Sequence, residues 1–305
     1  PERPLVAPPR LLEVVGTEGV GSLAAALETV TTAALAPAEA GQASTGGGNP
    51  RLAAALGGTG VPPATGVDVR APAVTASLVV SDRPELADAV APALTARGVA
   101  VRVLDAGGIE HTFDGTAAAL ADVVAEGPVD GIVVALAGTP PAADLSPGWE
   151  RALAEHTGIT DQIYADAAWA RAAGDHANAT GAPLRLVVLT DAVSAGGRSR
   201  AQAAAQHARS ARGATDDRLA AFAVAVESAA SPDLAAAAEL TAHLVASPTT
   251  PALSGAELAV GPGWLGLRSH PRVRASLSFH DHTVAPWLDD VLADLSGGPT
   301  GGTPT

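Results

Sequence analysis

Four sets of residues have types and spacing that could do chemistry. The first lies in Leu184-Arg-Leu-Val-Val-Leu-Thr-Asp-Ala-Val-Ser-Ala-Gly-Gly197. Its unbroken Leu/Val run reads as a strand buried on both faces, as in parallel sheets. Thr190, Asp191 and Ser194 then fall at the carboxyl end, where open α/β sheets place their ligands. On the helix-like stretch that follows, Arg198–Arg212, His207 is the plausible proton donor; the alternative is a partly exposed helix residue. The second set is Arg198, Arg209 and Arg212, which share a stripe at 100° per residue while Arg200 points away. Such a stripe could meet phosphate, a phosphopantetheine arm or an acidic carrier protein. A solvated face paired locally with Asp216 and Asp217 is the alternative.

The third set, His280-Asp-His282, could bring two imidazoles and a carboxylate to a metal, with His270 in reach only by folding back. Surface histidines ahead of a short helix are the alternative. The fourth is the run Leu11–Gly21, in which strand-like residues lead into Gly16, Gly19 and Gly21, superficially a dinucleotide-binding turn. Against it, Glu18 puts a negative charge where pyrophosphate oxygens would sit, and no second strand follows within about 30 residues. A capped docking helix or arm fits better.

Composition removes whole classes. The chain has no Cys, hence no disulfide, thiolate nucleophile or Cys-ligated zinc. All 18 basic residues are Arg, so Schiff-base chemistry and the P-loop Lys are absent. The one Tyr is Tyr164. A net charge of −14 argues against nucleic-acid phosphates and anionic membranes as partners. No apolar run approaches the roughly 20 residues of a spanning helix. Ser22–Ala36 is Ala-rich but contains Glu28 and lacks the basic start of a targeting segment. A cytoplasmic location is expected. The chain begins at Pro1 without an initiator Met, as a piece of a longer protein would. Asn178-Ala-Thr180 matches a glycosylation sequon, which has no meaning in that compartment.

The elements that must position these residues follow from periodicity. Residues 1–72 read as a Pro/Gly-rich arm with a short helix. Between 73 and 268, strands alternate with helices: strands at Ala76–Ser81, Val99–Leu104, Val129–Gly138, Leu184–Leu189, Leu219–Glu227 and Ser254–Gly261. Helices are expected over Pro84–Arg97, Gly115–Ala125, Trp149–Asn178 with a break near Gly158, the stretch to Arg212, and Leu234–Ala246. This alternation means an α/β, Rossmann-like three-layer fold with a mainly parallel, doubly wound sheet. Residues 269–305 read as a C-terminal extension with a short helix and a flexible tail. Trp149, Tyr164 and Trp169 mark the long helix, whose Ala165, Ala168, Ala172 and Ala173 form a small-residue face suited to close packing against a second subunit; a helix buried within one domain is the alternative.

The order of elements and three strings resemble the short-chain dehydrogenase/reductase family over roughly residues 74–268. Ala135-Leu-Ala-Gly138 is similar to its Asn-Asn-Ala-Gly turn, Val187–Gly197 to its strand leading to a catalytic Ser, and Leu253–Gly263 to its closing Ser/Thr-Gly segment. Degenerate domains resemble the chain most: the structural subdomain of polyketide synthase ketoreductases, and the N-terminal domain of long-form β-ketoacyl carrier-protein reductases. The resemblance implies NAD or NADP as cofactor, Asp105 at the adenosine ribose, and Ala137 and Gly138 beside the cofactor. It also implies a two-fold helical interface through the long helix.

The departures set the functional expectation. Where the family has a Gly-rich turn after the first strand, this chain reads Ser81-Asp-Arg-Pro-Glu-Leu86, with Asp82 and Glu85 to repel phosphate. The family's Tyr and Lys are missing from the helix after Ser194. Arg stays charged and is a poor general acid, so it cannot replace them. The leading expectation is a structural or partner subunit without a cofactor, serving acyl or polyketide ketoreduction. It would pair with itself or with a complete reductase, and could engage an acyl carrier protein or CoA thioester. The alternatives are an active NAD(P)-dependent ketoreductase using His207 or Asp191 as its acid, and a metal-dependent enzyme using His280 and His282.

Overall fold

Short runs rich in Val, Leu, Ile and Ala become strands covered on both faces. They are β2 (Ala76–Ser81), β4 (Gly131–Ala135), β5 (Leu184–Asp191) and β6 (Leu219–Val226). The computed structural model describes residues 11–16, 73–146 and 148–268. Three further parts of the sheet are β3 (Ala100–Asp105), β7 (Glu257–Gly261) and β8 (Trp264–Arg268), and Leu11–Gly16 adds β1 at an edge. The eight-stranded order is β1-β8-β7-β6-β5-β4-β2-β3, parallel from β3 to β7, with β8 antiparallel to both β7 and β1.

Among the described residues the helices are α1 (Pro84–Thr95), α2 (Phe113–Glu126), α3 (Trp149–Glu155), α4 (Ile159–Thr180), α5 (Ala195–Ala214) and α6 (Ser231–Ala246). Successive strand residues point to opposite faces, and the core divides accordingly. Val79, Val133, Val187 and Phe222 join α1 and α6 on one face. Their neighbours Leu78, Ile132, Leu186 and Ala221 join Trp169 of α4 and Ala204 and Ala208 of α5 on the other. This is the Rossmann-like, doubly wound arrangement that the alternation predicts.

Counted from β2, the parallel strands run 2-1-3-4-5-6, which is the common doubly wound order 2-1-3-4-5 with a sixth strand added. Among the described residues only β3 lies beyond β2, whereas a dinucleotide fold has a full βαβαβ unit on that side. The long helical stretch is broken where expected: Gly158 sits at φ +72° between α3 and α4, a left-handed conformation that glycine adopts at little cost.

Two expectations change. The small-residue face of α4 is no subunit surface, because Ala165, Ala168, Ala172 and Ala173 are all buried within the chain itself. Alanines there let α4 lie close to the sheet and to α2, where the Thr116 hydroxyl donates to the Ala168 carbonyl. Residues 264–268, left outside the sequence-predicted strands, form β8. The Pro262-Gly263 turn signal followed by Leu265 and Leu267 in alternation could have revealed it. Among the described residues, no helix is long and apolar enough to cross a membrane.

Phe222 is fully buried in β6. Phe222→Ala should lower unfolding free energy by about 3–5 kcal/mol, read as a lower urea midpoint at unchanged slope.

Candidate functional site

The chain reverses its winding between β3 and β4, so the crevice that a doubly wound sheet offers to ligands opens above the carboxyl ends of β2 and β4. Side chains of the protein itself bridge that crevice. The Ser81 hydroxyl donates to the Ala135 carbonyl at 2.9 Å and accepts from the Arg83 amide at 3.0 Å. The Asp82 carboxylate accepts from the Ala137 amide at 2.6 Å. Arg83 reaches past β4 to Asp191 at the end of β5, with Nη1 to Oδ2 at 3.3 Å, and its Nε holds Glu85 at 2.7 Å.

Arg200 of α5 forms the floor. Its guanidinium is fully buried and meets Asp166 of α4 in a two-pronged pair at 2.7 and 2.8 Å. Its Nη1 donates to the Ala137 carbonyl at 2.8 Å and the Leu136 carbonyl at 3.2 Å. Burial opposes its charge, but Asp166, and more distantly Asp82 and Asp191, outweigh that and raise its pKa. One cation thus fixes α4, α5 and the loop after β4.

Close backbone approach sets the start of α5. A Cβ on Gly196 would lie 1.9 Å from the Glu155 carbonyl oxygen, and one on Gly197 would lie 2.0 Å from that of Asp191. Only glycines let the helix begin there. Ser194 caps it, accepting from the Gly197 amide at 2.9 Å. The buried Glu155 caps it from outside, accepting from the Ala195 amide at 2.7 Å and from Arg151 Nε at 2.9 Å. These bonds, the amide first, hold the Glu155 carboxyl at about 2, against an ordinary 4.5.

The residues singled out in sequence are only partly brought together. Asp191 and Ser194 adjoin, but both are engaged: Asp191 with the Val193 amide and Arg83, Ser194 as the helix cap. His207 lies twelve residues beyond Ala195, about 18 Å along the helix at 1.5 Å per residue. Burial lowers its pKa against the opposing pull of Asp166. Asp105 stands exposed at the end of β3, accepting from the Gly107 amide at 2.9 Å. Ala137 uses its amide on Asp82 and its carbonyl on Arg200. At Gly138 a Cβ would find Arg200 Nη1 at 3.7 Å, an ordinary contact.

The arginine stripe is not one surface. Arg198 is exposed and donates to the Val193 carbonyl, whereas Arg209 is turned inward to the Gly255 carbonyl. Arg212 pairs with Asp217 at 2.5 Å. His270, His280 and His282 lie outside the described residues, as do Gly19 and Gly21. Among the described residues no group of three or more His, Asp or Glu is placed to hold a metal ion. Leu11–Gly16, which precedes those glycines, is an edge strand antiparallel to β8. A dinucleotide turn instead follows a parallel strand feeding a helix.

Sequence reasoning missed Glu155 as a cap, Arg200 and Asp166 as a buried pair, and the bonds that Asp82 and Arg83 make across the crevice. A signal was present: Arg200 falls on the apolar stripe of Ala201, Ala204 and Ala208, and Asp166 on that of Ala165 and Trp169. Charges of opposite sign on the inner faces of neighbouring helices point to a buried pair.

Among the solved structures to which the chain is similar are three short-chain dehydrogenases. One from Mycobacterium avium is 14% identical, over 76% of this chain and 97% of that one, with a TM-score of 0.46. One from Mycobacterium smegmatis is 15% identical, over 64% and 93%, at 0.42. One from Rhodopseudomonas palustris is 14% identical, over 55% and 89%, at 0.39. No protein-family model and no curated protein matches the sequence. The Rossmann-like assignment rests on the sheet order and its crossovers.

Arg200→Ala should cost about 3–5 kcal/mol by stranding Asp166, while the double replacement R200M/D166L should recover most of it; urea unfolding reads both. The depressed Glu155 carboxyl stabilises the fold fully above pH 4.5, and that contribution is lost as pH falls toward 2. The Tm difference between wild type and Glu155→Gln should therefore be constant above pH 4.5 and shrink between 4.5 and 2.

Proposed function

We propose that the chain is a reductase-type scaffold without hydride-transfer chemistry of its own, acting as a structural or partner subunit. The setting is acyl or polyketide ketoreduction, by the family resemblance. It works without a bound cofactor, paired with itself or with a complete reductase, and an acyl carrier protein or CoA thioester is the accompanying ligand.

One observation supports this most: the crevice a dinucleotide would occupy is spanned by Asp82–Ala137, Ser81–Ala135 and Arg83–Asp191. A pyrophosphate would have to break these bonds and approach Asp82, Glu85 and Asp191. No Gly-rich turn offers it backbone amides in exchange. The β3 side adds to this, since among the described residues no third strand completes the adenosine half of a dinucleotide fold. On the helix after Ser194, the face toward the sheet is Ala201, Ala204, Ala205 and Ala208, with no side chain that could deliver a proton.

Titration of the purified chain with NADH and NADPH, followed by cofactor fluorescence and calorimetry, should show no saturable binding at micromolar concentration. Saturable binding, or turnover of a ketone by the chain alone, would overturn the reading.

A further inference from the structure

A side-chain pair outside the bridged crevice has the geometry of a nucleophile and its base. His156, at the end of α3, places Nδ1 2.6 Å from the Ala152 carbonyl oxygen. A carbonyl only accepts, so Nδ1 carries the proton, and in the neutral ring Nε2 presents a lone pair. That lone pair faces the Ser199 hydroxyl of α5 at 3.1 Å. The Ser199 oxygen also lies 3.2 Å from the Ala195 carbonyl. That carbonyl is one turn back on the same helix and accepts the backbone bond of Ser199 as well. The imidazole nitrogen is the basic acceptor, and the single hydroxyl proton goes to it.

The approach is built into the fold. Gly196 lets the first turn of α5 press on the Glu155 carbonyl, and a Cβ there would also lie 3.3 Å from the His156 Cα. Glu155 ties the same two segments through the Ala195 amide. Nucleophile, base and an orienting group on the base's second nitrogen, all within hydrogen-bond reach, make up the geometry of an activated serine. Both side chains are half-buried, within reach of a small reagent.

We propose that Ser199 and His156 form a dyad that takes an acyl group from an activated ester. Ser199 Oγ attacks the ester carbonyl carbon while its proton passes to His156 Nε2. The tetrahedral adduct collapses, the carbon–oxygen bond to the leaving group breaks, and the proton on Nε2 leaves with that group or to water. Hydrolysis of the acyl-serine, by a water that gives its proton to the same nitrogen, returns the free hydroxyl. No oxidant, metal or dinucleotide enters, so the dyad stands or falls independently of the partner-subunit reading.

The composition narrows the acylation background: with no Lys and no Cys, it is left to the histidines, Tyr164 and the terminal amine, which peptide mapping separates from Ser199. The full chain is treated with p-nitrophenyl acetate and acetyl groups are located by peptide mass mapping. Ser210, exposed on the same helix, is the internal reference. The expected result is acetylation of Ser199 on the order of 10²-fold faster than of Ser210, the scale of general-base assistance. His156→Gln should lose that advantage and Ser199→Ala should lose the adduct. Equal rates at Ser199 and Ser210 in the wild-type chain would overturn the proposal without any variant, and so would an advantage that survives in H156Q.

Discussion

A guanidinium withdrawn wholly from water needs a partner for nearly every N–H, and Arg200 shows what that demand organises. Its two-pronged pair with Asp166 joins α4 to α5, and its remaining donors hold the carbonyls of Leu136 and Ala137. Those carbonyls belong to the loop whose Ala137 amide Asp82 caps from the far side. The loop after β4 is therefore gripped from below by a cation and from above by an anion. Such a pair adds little net stability over an apolar replacement of equal volume, since both charges give up their hydration. What it fixes is arrangement: with one partner misplaced, a buried charge is left uncompensated.

The same economy of charge explains the crevice. In a dinucleotide fold, glycine amides and a helix N-terminus receive the phosphates. Here α1 begins with Pro84, which has no N–H, and the residues before it spend their polar groups on the ends of β4 and β5. Asp191 and Arg83 meet across β4, so a cation and an anion of the protein stand where ligand and receptor groups would. The result is a closed internal network on a scaffold whose topology still places an opening there.

Alanine has a corresponding role in packing. The inner faces of α4 and α5 are mostly alanine, around the large side chain of Trp169 and the buried Arg200–Asp166 pair. Small side chains bring the helices close enough for the Thr116 hydroxyl to reach the Ala168 carbonyl, and close enough for Gly196 to touch the end of α3. That closeness also sets Ser199 against His156. The covering of the sheet and the placing of a reactive pair are consequences of one composition.

The sequence by itself determined the fold class, nearly every central strand and helix, and the loss of thiol and amine chemistry. These depend on local pattern and on residue types that are simply present or absent: Val/Leu runs, helical periodicity, Gly158 as a break, no Cys and no Lys. Only the tertiary structure decided which polar groups meet. Arg83 and Asp191 are 108 residues apart and Ser81 and Ala135 are 54 apart. His156 and Ser199 belong to helices separated by α4 and β5. The alanine face of α4 reads the same in sequence whether it covers a neighbour in the same chain or a second subunit, because small residues permit close approach without naming what approaches. Beyond the sequence, the hydrogen-bond partners that the fold supplied gave Arg200, Asp82 and Glu155 their roles.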